Sequence, residues 1–269
     1  MQISGSLNKM QTKCNLSGGM VDYNLVIDGK AVLPLNDIVG KEVSIKFNGS
    51  ISCVHCGKKT KKSFGQGACW ICFNKLACND MCIMKPETCH FAEGTCREPK
   101  WAKQNCFMEQ CLYLARSGSI KIGITRFNNQ LVRWADQGAS EAMVIGKFPN
   151  RFEVGKAEKS ISDAGITDRT SWHKMLKNEI TNQPFEEVLE SVKEILNPEQ
   201  KQCLLDTPKT ITLDYPHLDW PKKVKSTRLD KTSEISGVLT AIKGQYLIFD
   251  NQVINIRSHA GYDIDFKFV

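Results

Sequence analysis

Apolar and polar residues alternate with the period of a strand at both ends of the chain. Near the start, "VDYNLVIDGKAVLPL" and then "GKEVSIKF" are punctuated by Asp28-Gly29 and by Gly40. The last forty residues repeat the style. "ISGSL" at Ile3–Leu7 echoes "ISGVL" at Ile235–Leu239, Tyr23 and Asp28 echo Tyr246 and Asp250, and "GKEVSIKF" from Gly40 echoes "GYDIDFKF" from Gly261. This reads as an internal repeat, although any two meanders share glycine turns and alternation. Three or four strands per copy are too few to bury a face alone, so each copy is expected to pack on the other or on the middle of the chain.

The middle mixes periods. "CLYLARSGSIKIGITR", Cys111 to Arg126, predicts two strands joined by Ser117-Gly118-Ser119. If Leu112 and Leu114 share a face with Ile120, Ile122 and Ile124, then Leu114 must oppose Ile122, and Tyr113 must oppose Gly123. The other face would be a polar strip of Tyr113, Lys121, Gly123 and Thr125, with a glycine gap that lets a ligand approach the backbone. "FNNQLVRWADQG" predicts a short helix carrying Arg133 and ending at Gly138, and "EAMVIGKF" predicts a third strand. In "RFEVGKAEKSISDAG", Val154, Ala157, Ile161 and Ala164 recur at helical spacing, which sets Glu158 at the border of the buried face. "DRTSWHKML" adds Asp168, Trp172 and His173 nearby in sequence, and "PFEEVLESVKEIL" predicts an amphipathic helix with a wet charged face.

At 269 residues and 41% hydrophobic content the chain can bury a core and divide into two or more modules. "MQISGSLNKM" lacks the apolar centre of a signal peptide, and no run approaches membrane-spanning length, so a reducing, cytoplasmic setting with no membrane partner is expected. Twelve cysteines in such a setting read as metal ligands before disulfides. A net charge of +7 suits an anionic partner such as nucleic acid without requiring one.

"CVHCGKKTKKSFGQGACWIC" has the spacing of a zinc ribbon. Cys53-x2-Cys56 and Cys69-x2-Cys72 each make a knuckle, and four thiolates close a tetrahedron around one structural Zn²⁺. Between the pairs, Lys58, Lys59, Lys61 and Lys62 stand beside Phe64, a set that suits a phosphate backbone and equally a solvated loop. Cys78, Cys82, Cys89, Cys96, Cys106 and Cys111 follow, with His90 beside Cys89. Their number suggests a second zinc site at Cys82, Cys89, Cys96 and Cys106, with His90 and Cys78 in reserve and Cys111 packed in its strand. A redox pair or an iron–sulfur cluster uses the same ligand type.

The order strand with Tyr, strand with Ile-Gly, helix with Arg, strand, helix with Glu resembles the GIY-YIG nuclease superfamily. "LYL" stands at its first motif and "KIG" at its second, while Arg133 and Glu158 match its helical arginine and metal-binding glutamate. The resemblance implies that Tyr113 helps deprotonate a water, Arg133 neutralises the phosphate, and Glu158 holds Mg²⁺ or Mn²⁺. Lys121 stands where the family has a second tyrosine and Cys111 where it has a glycine; Lys121 can contact a phosphate but is no phenol. Nearly end to end, with "CIMKPETCHFAEGTCREP", "KIGITR" and "RWADQGA", the chain also resembles a bacterial domain-of-unknown-function family numbered 2797.

Together these readings predict an α+β protein of four modules. Residues 1–52 form an N-terminal antiparallel β module, 53–106 a zinc-binding region, 107–205 a small GIY-YIG-like α/β domain, and 206–269 a C-terminal β module. Three functions fit: a divalent-metal-dependent nuclease using Tyr113, Lys121, Arg133 and Glu158; a non-catalytic nucleic-acid-binding zinc protein; and an RNA-modification or protein-interaction module. Lys58, Lys59, Lys61, Lys62 and Arg126 are the expected contacts to DNA or RNA.

Overall fold

A computed structural model describes residues 1–250 and 252–269. Along the chain come β1 (Gln2–Ser6), β2 (Gln11–Lys13), β3 (Gly19–Met20), β4 (Asp22–Ile27), β5 (Lys30–Pro34) and β6 (Glu42–Ile51). The cysteine region holds short helices, α1 (Trp70–Lys75), α2 (Met81–Met84) and α3 (Pro99–Asn105). Then follow β7 (Gln110–Ser117), β8 (Ser119–Arg126), α4 (Gln130–Asp136), β9 (Glu141–Phe148) and α5 (Arg151–Asp163). After α6 (Trp172–Leu176), α7 (Phe185–Ile195) and α8 (Pro198–Lys201), the chain returns to strands. These are β10 (Thr210–Asp214), β11 (Lys225–Thr227), β12 (Glu234–Lys243), β13 (Tyr246–Phe249), β14 (Gln252–Asn255) and β15 (Tyr262–Phe268). The fold class is mixed α+β, and no described helix is long and apolar enough to cross a membrane.

The chain gathers into two compact units. Unit 1 is Met1–Asn74, Ala135–Gly138 and Leu213–Val269; unit 2 is Lys75–Trp134 and Ala139–Thr212. These boundaries differ from the four modules read in the sequence. The segments 1–52 and 206–269 fall largely in one unit, and 53–106 divides at the end of α1. Local alternation identifies strands but not the strands they pair with; packing of the two copies on each other was one of the expected arrangements.

Unit 1 is built on a seven-stranded sheet in the order β1-β15-β6-β12-β13-β14-β11. Its centre explains the echo between the ends. β1 of the first half pairs with β15 of the second, matching Ile3 with Phe266 and Gly5 with Ile264. β12 of the second half pairs with β6 of the first, matching Ile235 with Ile45 and Gly237 with Val43. β15 and β6 join the two exchanges in the middle. Gly261 N–H donates to the Leu7 carbonyl at 2.7 Å and Gly40 N–H to that of Leu239 at 2.8 Å, one bond in each direction. Gly5 and Gly237 even share an unusual backbone, at φ 145° and 148°, which glycine adopts without penalty. A three-stranded sheet, β2-β4-β5, completes the unit, with Asp28 and Gly29 at positive φ turning β4 into β5.

Unit 2 carries β10-β9-β7-β8, while the last two residues of β10 belong to unit 1 and pair there with β3. The β7–β8 hairpin has the register anticipated from its apolar residues: Leu114 opposes Ile122, Tyr113 opposes Gly123, and Ser117 opposes Ser119 around Gly118 at φ 104°. Leu112, Leu114, Ile120, Ile122 and Ile124 enter one core with Val154, Ala157 and Ile161 of α5 and Phe185, Val188 and Val192 of α7. The helical spacing of α5 holds to Ile161. Ala164 lies beyond the helix and is exposed. Asn150 caps α5 by accepting from Glu153 N–H at 2.9 Å.

Candidate functional site

The ribbon belongs to unit 1. Cys53 N–H donates to the Lys58 carbonyl and Gly57 N–H to that of Cys53, folding a tight first knuckle. The second knuckle opens α1, where Phe73 N–H donates to the Cys69 carbonyl. Each knuckle aims a backbone N–H at sulfur: His55 at Cys53 Sγ, 3.4 Å, and Cys72 at Cys69 Sγ, 3.5 Å. The four Sγ atoms of Cys53, Cys56, Cys69 and Cys72 lie within 4.8 Å of one another, and none is in a disulfide. This donor set fits Zn²⁺. Burial works against the Cys53 thiolate, yet hydrogen bonds from the Cys69, Cys56 and His55 backbones hold its pKa at about 6. Burial and the neighbouring thiols of Cys56, Cys69 and Cys53 push Cys72 up to about 12. Four sulfurs this close ionise together only around a cation.

The ribbon's loop is exposed at Lys58, Lys59, Lys61 and Lys62. Beside it three aromatic rings gather. Phe64 lies 5.3 Å from Trp70 and 5.8 Å from Phe73, and Trp70 is 60% exposed. Sequence reading singled out Phe64 and missed Trp70 and Phe73, which the ribbon brings to it from the second knuckle and α1.

In unit 2, Arg133 and Glu158 lie close enough to Tyr113 and to Lys121 to act on the ionisation of each. The expected open polar strip is not there, however. Tyr113 is 0% exposed and Lys121 3%, and Thr125 is buried as well. The Tyr113 ring crosses Gly123, where an added Cβ would stand 2.6 Å from its Cζ and Oη, and Trp134 meets it edge-on with centroids 5.9 Å apart. The gap at Gly123 therefore admits Tyr113 itself instead of a ligand. Burial pushes the Tyr113 phenol up to about 12, against the lowering effect of Arg133. Such a phenol donates hydrogen bonds at neutral pH and does not take a proton from water.

Two other groups move toward neutrality. Burial raises the half-buried Glu158 carboxyl to about 7; Arg151, Arg133 and Lys121 oppose the rise and Asp168 adds to it. Burial lowers Lys121 to about 8, helped by Arg133 and resisted by Glu158 and Asp168. Asp168 reaches Lys121 because Ile122 N–H of β8 donates to the Thr167 carbonyl at 2.9 Å. Arg151 was not anticipated. It opens α5, its Nη2 donates to the Ile83 carbonyl at 2.7 Å, and its buried Nε has no hydrogen-bond partner. Its signal in the sequence was only a cation one residue after a cap. Arg126 donates to Asn105 Oδ1 at 2.9 Å, so it is engaged within the fold.

In the second cysteine region, the compact donor group is Asp80, Cys82 and His90, whose ligand atoms lie within 4.8 Å of one another. Cys89, Cys96 and Cys106 stand outside that group, close enough to raise the Cys82 thiol, which burial and Asp80 already push to about 12. Cys111 is buried in β7, as its strand position suggested.

An α+β chain with four cysteines positioned to hold a metal ion in one unit and a buried charge cluster in the other is the class that the geometry defines. By sequence the chain belongs to the family described as "Protein of unknown function (DUF2797)", whose model matches residues 40–264. No curated protein and no solved structure matches it.

Proposed function

We propose that this is a zinc-containing nucleic-acid-binding protein whose ribbon grips a single strand. The supporting observation is the exposed loop of Lys58, Lys59, Lys61 and Lys62 next to the cluster of Phe64, Trp70 and Phe73. Lysines track phosphates while an exposed indole stacks on a base, an arrangement that tolerates sequence. The chain's net charge of +7 works in the same direction.

Binding of fluorescent single-stranded and duplex DNA and RNA across a salt series tests this. Four lysine–phosphate contacts imply a slope of about −3 in log K against log salt for a single strand. Trp70→Ala should weaken binding on the order of tenfold, the worth of one stacked base. Unchanged affinity in both Trp70→Ala and a variant with all four lysines replaced by serine would defeat the reading.

A second reading, metal-dependent phosphodiester cleavage in unit 2, draws support from Glu158. A carboxyl at about 7 among Arg133, Lys121 and Asp168 suits a base or a Mg²⁺ or Mn²⁺ ligand, and the order of β7, β8, α4, β9 and α5 is that of the GIY-YIG resemblance. Here Glu158 takes the role of base, Arg133 carries charge on phosphate, Tyr113 positions Arg133, and the buried Lys121 acts on Glu158 from behind. Labelled DNA and RNA incubated with Mg²⁺ or Mn²⁺ should be cut by the protein and left intact by Glu158→Gln. Binding without products sinks this second reading and leaves the first.

A further inference from the structure

The region after the ribbon carries donor groups that the ribbon's metal does not use. Asp80 precedes α2, and its Oδ1 faces Cys82 N–H at 3.4 Å, which turns Oδ2 toward His90. His90 Nδ1 lies 2.7 Å from Thr95 Oγ1, and that hydroxyl is 3.2 Å from the His90 carbonyl, to which it donates. With its hydrogen so placed, the Thr95 oxygen faces Nδ1 as an acceptor, and Nε2 faces Asp80 Oδ2, 3.6 Å away. Ligands held about 2.1 Å from a tetrahedral Zn²⁺ stand about 3.4 Å apart, close to the separation observed.

We propose that unit 2 binds a second Zn²⁺ through Asp80 Oδ2, Cys82 Sγ and His90 Nε2, with the fourth donor drawn from the thiols of Cys89, Cys96 and Cys106. The supporting shell is already in place. Metal-bound histidines donate their other N–H to a fixed acceptor, and ligating carboxylates are themselves hydrogen-bonded. Thr95 serves His90 in this way, and Arg97 serves Asp80, with Nε 2.6 Å from Oδ2. A mixed sulfur, nitrogen and oxygen set suits Zn²⁺ better than the hard cations.

This ion would brace α5. Arg151 N–H donates to the Cys106 carbonyl at 2.7 Å and its Nη2 to that of Ile83, so both ends of the cysteine segment hold the start of the helix that carries Glu158.

Elemental analysis of the full chain, purified without chelator, is expected to find two zinc per chain. Asp80→Asn, which keeps the cap, and His90→Ala should each lower the count from two to one while circular dichroism stays unchanged. One zinc in the parent protein overturns the proposal, since His90 and Asp80 are then a plain ion pair. Two zinc retained in both variants also overturns it, because the ion then sits on cysteines alone. Should either variant fail to fold, X-ray absorption at the zinc edge of the parent decides between the outcomes. Nitrogen or oxygen scattering is expected, and sulfur alone is disqualifying.

Discussion

Glu158 shows how one carboxyl reports its surroundings. Burial raises its pKa to about 7 from an ordinary 4.5, so between those values the folded state holds a proton that the unfolded chain has released. The group's contribution to stability is complete below the unfolded value and is lost as pH rises through the folded one. Denaturant titrations of the parent protein should therefore show stability falling from about pH 4.5 to above about 7 relative to Glu158→Gln, whose amide mimics the protonated acid. Parallel pH profiles for the two would remove the acid from the buried cluster. The closeness of Glu158 to the core was readable from its place in the helical pattern. The burial of Tyr113 and Lys121 was not, because alternation separates two faces of a hairpin without saying what covers the second. Lys121 has a long apolar stem and Tyr113 an apolar ring, so both tolerate a cover that their polar tips disguise.

At the scale of elements, α5 illustrates a choice between two effects. Gly155 lies inside the helix, where alanine ordinarily gains about 1 kcal/mol. Here an added Cβ would stand 2.3 Å from Cβ of Pro86 and 3.1 Å from the Glu87 nitrogen. A proline in a short turn cannot swing away, so the overpacking cost of about 1–3 kcal/mol should outweigh the helical gain. Gly155→Ala is thus expected to unfold at lower urea than the parent, and a rise in midpoint would mean that the turn yields. The helix itself was legible from Val154, Ala157 and Ile161, and so was the register of β7 and β8, because a one-residue slip would turn every isoleucine of β8 away from the core it shares with α5 and α7. What lies against the far side of α5 was not legible, since the turn at Pro86 is more than sixty residues upstream and has no periodicity.

For the whole molecule, the ribbon and the strand exchange both belong to unit 1. Gly261, between the turn at 257–259 and β15, has no room for a side chain: a Cβ there would stand 2.2 Å from the Ser52 carbonyl, directly before the first knuckle. Structural zinc contributes about 10–16 kcal/mol to small domains that fold around it. Cys53→Ser, which removes a buried ligand, should cost one equivalent of zinc and open residues 52–74 to proteolysis. Full zinc content and an intact ribbon in that variant would show that the metal does not hold it.

Sequence alone settled what depends on neighbours within a few residues: two knuckles whose spacing is a ligand set, a hairpin whose apolar residues admit one register, and helices whose faces repeat. Only the tertiary structure decided that the two ends interleave in one sheet, that the glycine gap is filled by Tyr113, and that Asp80 and His90 meet. Those outcomes rest on contacts between residues far apart in the chain. Their geometry is set by packing and by the pairing of buried polar groups, and no local pattern encodes it.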